Sequence, residues 1–248
     1  MEKSEKNVNV FIPCCMDMFD PGTAGSTISV LERLGCNVNY QIDQTCCGRR
    51  FYMEGDMNAA RELGVKLFRE FGPDNPIVIP SAACAGYIKH NFQNIFENTF
   101  VPGELTKFTE NIYELSDFIV NVLHCRNLGN YFNSRVFYFN SCSARNTYHL
   151  HDEPEILLRN TQGLDLVTDD SITGCCSANG TFAEVNPDVS EAMLKNVVDR
   201  IYAASVQYVT STDIHCLQHI EAYIQAKGIG LEVIHLADIL NAQKEANI

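Results

Sequence analysis

The chain repeats itself, and the repeat limits its fold more than any other feature. Sliding residues 8–120 onto residues 134–242 brings four cysteines, two helix-patterned stretches and two β-rich runs into the same order twice. Each half opens with a β-branched or aromatic run ending in cysteine, VNVFIPC to Cys14 and RVFYFNSC to Cys142. Each then reaches an adjacent pair, Cys46–Cys47 after QIDQT and Cys175–Cys176 after DDSITG. A helix-patterned stretch follows, MNAARELGVKLFREFG in one half and VSEAMLKNVVDRIYAA in the other, then a β-rich run to Cys84 or Cys216. The tails IYELSDFI and VIHLADIL close the match. The first cysteine precedes its pair by 32 and 33 positions, and the pair precedes the last cysteine by 37 and 40. Duplication is the economical account.

Segments 8–13, 77–80, 135–139 and 206–210 are short and apolar without alternation, the pattern of strands buried on both faces. Helical periodicity follows at Ser26–Leu34 and Ala85–Phe96. Strands alternating with helices predict an α/β fold of two tandem, similar Rossmann-like modules with parallel sheets, related by a pseudo-twofold. The turn-rich HCRNLGNYFN supplies the connection, giving an N-terminal module over 1–125 and a C-terminal module over 126–248. Ligands of such sheets sit beyond the carboxyl ends of the strands, where Cys14, Cys84, Cys142 and Cys216 all fall.

Eleven cysteines in 248 residues, with no apolar leader segment and an odd count, argue against a disulfide framework and for metal or redox work in a reducing compartment. The formal net charge of −13 disfavours nucleic acid or an anionic membrane as partner. No apolar run is long enough to span a bilayer, so the expected location is the cytoplasm, without membrane insertion. Converging thiolates select zinc or an iron–sulfur cluster. Zinc knuckles space their cysteines as C-x2-C, whereas adjacent cysteines serve one site only where the backbone bends sharply. Gly48 makes that bend cheap in the first half; Ser177 stands in its place in the second, preceded by Gly174. Two divergent thiolates on one loop suit an extended multi-iron cluster better than one ion.

The duplicated pattern, with PCCMDMFDP around Cys14, LERLGCNV, QTCCG, PSAAC, SCSAR, GCCSANGTF and HLADIL, resembles the cysteine-rich CCG domain. It is most similar to the lactate-utilisation protein A family of iron–sulfur-binding proteins. That family shares its domain with heterodisulfide reductase and with the glycolate oxidase iron–sulfur protein. The resemblance implies one iron–sulfur cluster per module, of the 4Fe–4S class, on Cys14, Cys46, Cys47 and Cys84 and on Cys142, Cys175, Cys176 and Cys216. It further implies an electron-transfer subunit of a complex oxidising L-lactate or a similar 2-hydroxy acid, partnered by other subunits that include a ferredoxin-like iron–sulfur protein. Such a chain is a redox component rather than a complete enzyme. Two departures bear on the cofactor. Where the heterodisulfide version ends each module in C-x-x-C, this chain has Ser81 and Asp213, leaving four cysteines per module and an oxygen ligand as an option. Ser177 in place of glycine sets the C-terminal site further from the pattern. The alternatives are a thiol–disulfide reductase and a zinc-stabilised scaffold.

The remaining chemistry-bearing residues take plainer readings. Cys36 is expected in the core, Cys125 near the connection, and Cys15 has no counterpart in the second half. His215, beside Cys216, is read as packed or solvated rather than ligating, and the other histidines form no ligand set. Asp17 is expected to cap a helix, PGTAGST to start one, and Arg49 and Arg50 to lie on a solvated loop or offset cluster charge.

Overall fold

The computed structural model describes residues 6–97, 99, 101–169 and 174–244. The charged residues 1–5 and positions 170–173 of the run before Cys175 lie outside them. In the first half the chain runs β1 (Lys6–Val10), α1 (Cys14–Phe19), α2 (Pro21–Arg33), β2 (Cys36–Tyr40), α3 (Arg49–Glu54), α4 (Met57–Phe71), β3 (Ile77–Ile79), α5 (Ala82–Ile95), α6 (Pro102–Glu110), β4 (Ile112–Glu114) and α7 (Leu115–Asp117). A π-helical turn over Phe118–Val122 ends it. The second half runs β5 (Arg135–Tyr138), a π-helical turn over Ala144–Tyr148, α8 (Glu153–Arg159), β6 (Asp165–Val167), α9 (Phe182–Val185), α10 (Pro187–Ala203), β7 (Tyr208–Ser211), α11 (Ile214–Lys227), β8 (Glu232–His235) and α12 (Leu236–Asn241).

The two sheets are four-stranded and wholly parallel, with orders β2-β1-β3-β4 and β6-β5-β7-β8. The α/β architecture of two tandem Rossmann-like modules is therefore present, each sheet drawn from one half. In each, the order reverses between the first and third strands, β1 beside β3 and β5 beside β7. That is the crevice where doubly wound sheets bind ligands.

The lack of alternation in the strands has a direct cause. Val8 and Val10 face a central core shared by both halves, together with Val30, Leu115, Val136 and Leu236. Phe11, Ile77 and Ile79 face a second core with Phe92 and Phe108, and Val209 packs with Val197 and Ile220 in a third. No helix among the described residues is long and apolar enough to cross a membrane.

The halves embrace reciprocally, as a pseudo-twofold requires. α2 packs on α12 as α8 packs on α7, and the π-helical turn 144–148 packs on α5 as α1 packs on α11. The Thr23 hydroxyl donates to Asp238 at 2.5 Å, and the Tyr148 hydroxyl donates to Asp117 at 2.5 Å, so each tail aspartate is held by the other half. The tails also cap alike. Glu114 accepts the N–H of Ser116 at 2.7 Å at the start of α7, and His235 Nδ1 accepts that of Ala237 at 3.1 Å at the start of α12.

One local expectation is corrected. The PGTAGST run starts its helix at Pro21, but the cap is Asp20, which accepts the Thr23 N–H at 3.4 Å ahead of a proline already set for the first turn. Asp17 is not the cap; it lies exposed within α1.

Glu114 carries a pH dependence. It is 1% exposed, and burial raises its carboxyl from about 4.5 to about 8. A carboxyl raised on folding contributes stability fully present below its ordinary value and lost as pH climbs through the raised one. Wild-type metal-free protein is thus expected to lose stability relative to Glu114→Gln between pH 4.5 and 8, by on the order of a few kcal/mol. Denaturant titrations of both proteins at several pH values measure it; parallel pH profiles would refute the assignment.

Candidate metal centre

The local geometry that gathers the cysteines is the same in both halves. Cys14 begins α1 beyond β1, and Cys84 lies in the first turn of α5 beyond β3; Cys142 and Cys216 follow β5 and β7. All four therefore stand at the switch point of their sheet. The adjacent pairs come in on the loops after β2 and β6. Sulfur contacts run from Cys14 to Cys46, from Cys46 to Cys47, and from Cys47 to Cys84 at 3.5 Å. In the second half they run from Cys142 to Cys175 at 3.3 Å, then to Cys176 and on to Cys216. Burial repeats too: the first two sulfur-bearing residues of each quartet are half-buried and the last two buried. The eight cysteines aligned in the sequence are thus brought together as two quartets.

The bend between adjacent cysteines is likewise shared. Gly48 has φ 88°, and a Cβ there would stand 3.1 Å from the Ala60 carbonyl oxygen. Ser177 adopts the same left-handed region, φ 62°, although it carries a side chain. Its hydroxyl lies 2.6 Å from that of Ser190 and 3.2 Å from the Ser190 carbonyl, hydrogen bonds that offset the backbone strain. In consequence the N–H two residues on reaches a cysteine sulfur in both loops, Gly48 to Cys46 at 3.4 Å and Ser177 to Cys175 at 3.3 Å. Replacing glycine by serine therefore leaves the loop's form intact.

The electrostatics single out Cys46. Hydrogen bonds from Cys14 and Cys47, then the Gly48 N–H, hold its thiol well below the ordinary range, while the bond to Cys46 and burial push Cys14 well above it. Cys47, bonded to Cys46 and Cys84 and fully buried, is also pushed up. Beside Cys175 a cavity of 480 Å³ opens, lined by Met53, Phe182, Val185 and Met193.

The other cysteines separate cleanly. Cys36 is 7% exposed in the shared core, and Cys125 donates to the Asn127 carbonyl at 3.4 Å near the connection. Cys15 is buried, with its sulfur 3.8 Å from His215 Nδ1, so the neighbours of Cys14 and Cys216 touch across the junction. Burial, then the Arg49 charge, lowers the His215 imidazole. Arg49 donates to Asn179 of the other half at 2.5 Å, and Arg50 pairs with Glu54 at 2.9 Å. Ser81 and Asp213, the optional oxygen ligands, are hydrogen-bonded to each other at 3.0 Å. That pairing, and the one between Cys15 and His215, escaped the sequence, whose repeat aligns equivalent positions but does not say which of them meet across the junction.

Among the described residues, no three His, Cys, Asp or Glu side chains are already set for a single bound ion. Four sulfurs 2.3 Å from one zinc stand roughly 3.8 Å apart, wider than the thiol–thiol contacts of 3.5 and 3.3 Å. As a donor set the quartets fit a soft metal or an iron–sulfur cluster, around which the sulfurs would spread.

The model of the cysteine-rich domain CCG matches the chain twice, over residues 8–89 and 136–221. Lactate utilization protein A of Oceanobacillus iheyensis is 30% identical over 97% of this chain and 99% of its own length. The chain belongs to the lactate utilization protein A family. The proteins of that name from Geobacillus kaustophilus and Anoxybacillus flavithermus are each 32% identical, over 95% of this chain and 99% of their own lengths. Membership of the CCG family accounts for the duplicated quartets, since each match spans one whole set of four cysteines.

Proposed function

We propose that this chain is the iron–sulfur electron-transfer subunit of a cytoplasmic complex that oxidises L-lactate or a related 2-hydroxy acid. The observation that carries this reading is the recurrence of one four-thiol arrangement, in the same contact order, at the switch point of both sheets. Cys14, Cys46, Cys47 and Cys84 hold one cluster and Cys142, Cys175, Cys176 and Cys216 the other, in modules divided between Cys125 and Arg126. Bound clusters supply one-electron transfer at potentials set by their type and surroundings. The chain's own residues fix the thiols: the switch-point turns aim one cysteine from each of two strands, and the N–H groups of Gly48 and Ser177 donate to ligand sulfurs. The names of its relatives supply the lactate connection. Partner subunits, among them a ferredoxin-like iron–sulfur protein, deliver and remove the electrons.

Anaerobic reconstitution with iron and sulfide tests the reading. The expected result is uptake of both, with paramagnetic resonance signals on reduction. Protein that stays colourless, or that takes zinc alone under the same conditions, overturns it.

A second reading, thiol–disulfide reduction, draws on the depressed, half-buried Cys46 thiol and the open cavity beside Cys175. Turnover of a disulfide substrate with a reduced donor would favour it, and absence of turnover in the loaded protein would remove it.

A further inference from the structure

Asp213 and Ser81 are equivalent positions of the repeat, each three residues before the last cysteine of its half, yet they meet. Asp213 is 1% exposed and Ser81 and Ser141 are wholly buried. One carboxylate oxygen of Asp213 accepts the Ser81 hydroxyl at 3.0 Å and the Ala83 N–H at 2.7 Å. The other accepts the Ser141 hydroxyl, whose oxygen in turn accepts the Ala144 N–H at 3.0 Å. A single buried carboxylate therefore fastens three cysteine-bearing turns: that of Cys84 in the first half, that of Cys142 in the second, and its own turn before Cys216. The repeat is broken here in a useful way, because two hydroxyls or two carboxylates at these positions would not make so complete a set of donors to one acceptor. Both oxygens of Asp213 accept hydrogen bonds from cysteine-bearing turns, which makes it a structural link between the two sites. The Cys15–His215 contact spans the same junction, next to Cys14 and Cys216.

We infer that Asp213 is a positioning residue that locks the Cys84, Cys142 and Cys216 turns together, so that the form of both metal sites is coupled through this one carboxylate. The metal-binding part of this inference rests on the function proposed above; the locking of the turns does not. Asp213→Ala leaves the Ser81 and Ser141 hydroxyls and the Ala83 N–H buried without their acceptor, an expensive arrangement. Asp213→Asn keeps the shape and one carbonyl oxygen for Ser81 and Ala83.

Two readouts test it, on the full chain. In metal-free, reduced protein, the rate of alkylation of Cys84, resolved by peptide mass spectrometry, is expected to rise about tenfold or more in Asp213→Ala. Amide exchange at Ala83 should accelerate with it, and Asp213→Asn should stay near wild type. In anaerobically reconstituted protein, Asp213→Ala is expected to lose iron from the N-terminal quartet as well as the C-terminal one, although all N-terminal cysteines are intact. Unchanged Cys84 alkylation and Ala83 exchange would overturn the lock. Loss confined to the C-terminal quartet would overturn the coupling. If wild type itself takes up no iron, the proposed function fails while the alkylation and exchange results still decide the lock. Should Asp213→Ala not fold, Ser81→Ala carries the same test: it deletes one of the two N-terminal donors and none on the C-terminal side, so Cys84 alkylation should accelerate while Cys216 keeps its wild-type rate, and a wild-type rate at Cys84 overturns the lock.

Discussion

Cys84→Ser is expected to abolish the N-terminal resonance signal and, with one cluster per module as proposed, to lower iron and sulfide per chain by about half. Cys84 is 3% exposed, 3.5 Å from Cys47, and fixed in the first turn of α5. A serine there offers a harder oxygen on a shorter bond, a poor partner for the iron of such clusters. Of the other first-half cysteines, Cys15 contacts His215 and Cys36 lies in the shared core. Cys216→Ser should produce the mirror result, with the N-terminal signal retained. Cys36→Ser and Cys125→Ser serve as controls in which the metal content is unchanged. Iron and sulfide assays on anaerobically prepared variants, read beside far-ultraviolet circular dichroism, check the series. Full metal content in Cys84→Ser would mean that the quartet is not the site.

The inner strands β1, β3, β5 and β7 and the duplication were legible in the sequence because a strand buried on both faces leaves an unbroken apolar run, and here both faces are covered, one by the shared core and one by the module's own. The placing of Cys14, Cys84, Cys142 and Cys216 beyond strand ends followed from the same pattern. Three features were not legible. The π-helical turns at Phe118–Val122 and Ala144–Tyr148 have no distinctive composition; the second packs on α5 of the other half, and Asn121 in the first donates to Glu153 of the other half at 2.9 Å. Ser177 departs from the glycine pattern in sequence, but the hydroxyl partners that hold its backbone come from Ser190, thirteen positions on. The link from Asp213 to Ser81 and Ser141 spans 132 and 72 positions. Local propensity does not encode a contact between two points of a duplicated fold that are equivalent in sequence and opposed in space. The candidate ligands were thus readable one half at a time, and the junction between them only from the fold.

That junction also sets the largest stability effect. Gly86 lies in α5 two residues past Cys84, where the first half crosses the π-helical turn of the second. A Cβ at Gly86 would stand 2.8 Å from the Tyr148 nitrogen and 2.9 Å from the Thr147 carbonyl carbon, both backbone atoms. The turn cannot retreat cheaply. The Tyr148 ring is buried, and its hydroxyl both donates to Asp117 at 2.5 Å and accepts the Glu114 N–H at 2.9 Å. Gly86→Ala should therefore destabilise the metal-free protein by about 3 kcal/mol, the range of overpacking against a fixed neighbour. Gly25 is the matched control: it is interior to α2 with nothing within 4 Å of the added methyl, so Gly25→Ala should stabilise by up to about 1 kcal/mol. Guanidinium unfolding of the two variants under reducing conditions separates the cases. Because α5 starts at the turn that carries Cys84, Gly86→Ala should also slow metal uptake at the N-terminal quartet, whereas Gly25→Ala should not. A Gly86→Ala protein within about 0.5 kcal/mol of wild type, the scatter of an ordinary surface substitution, would mean that the two halves do not approach each other this closely at α5.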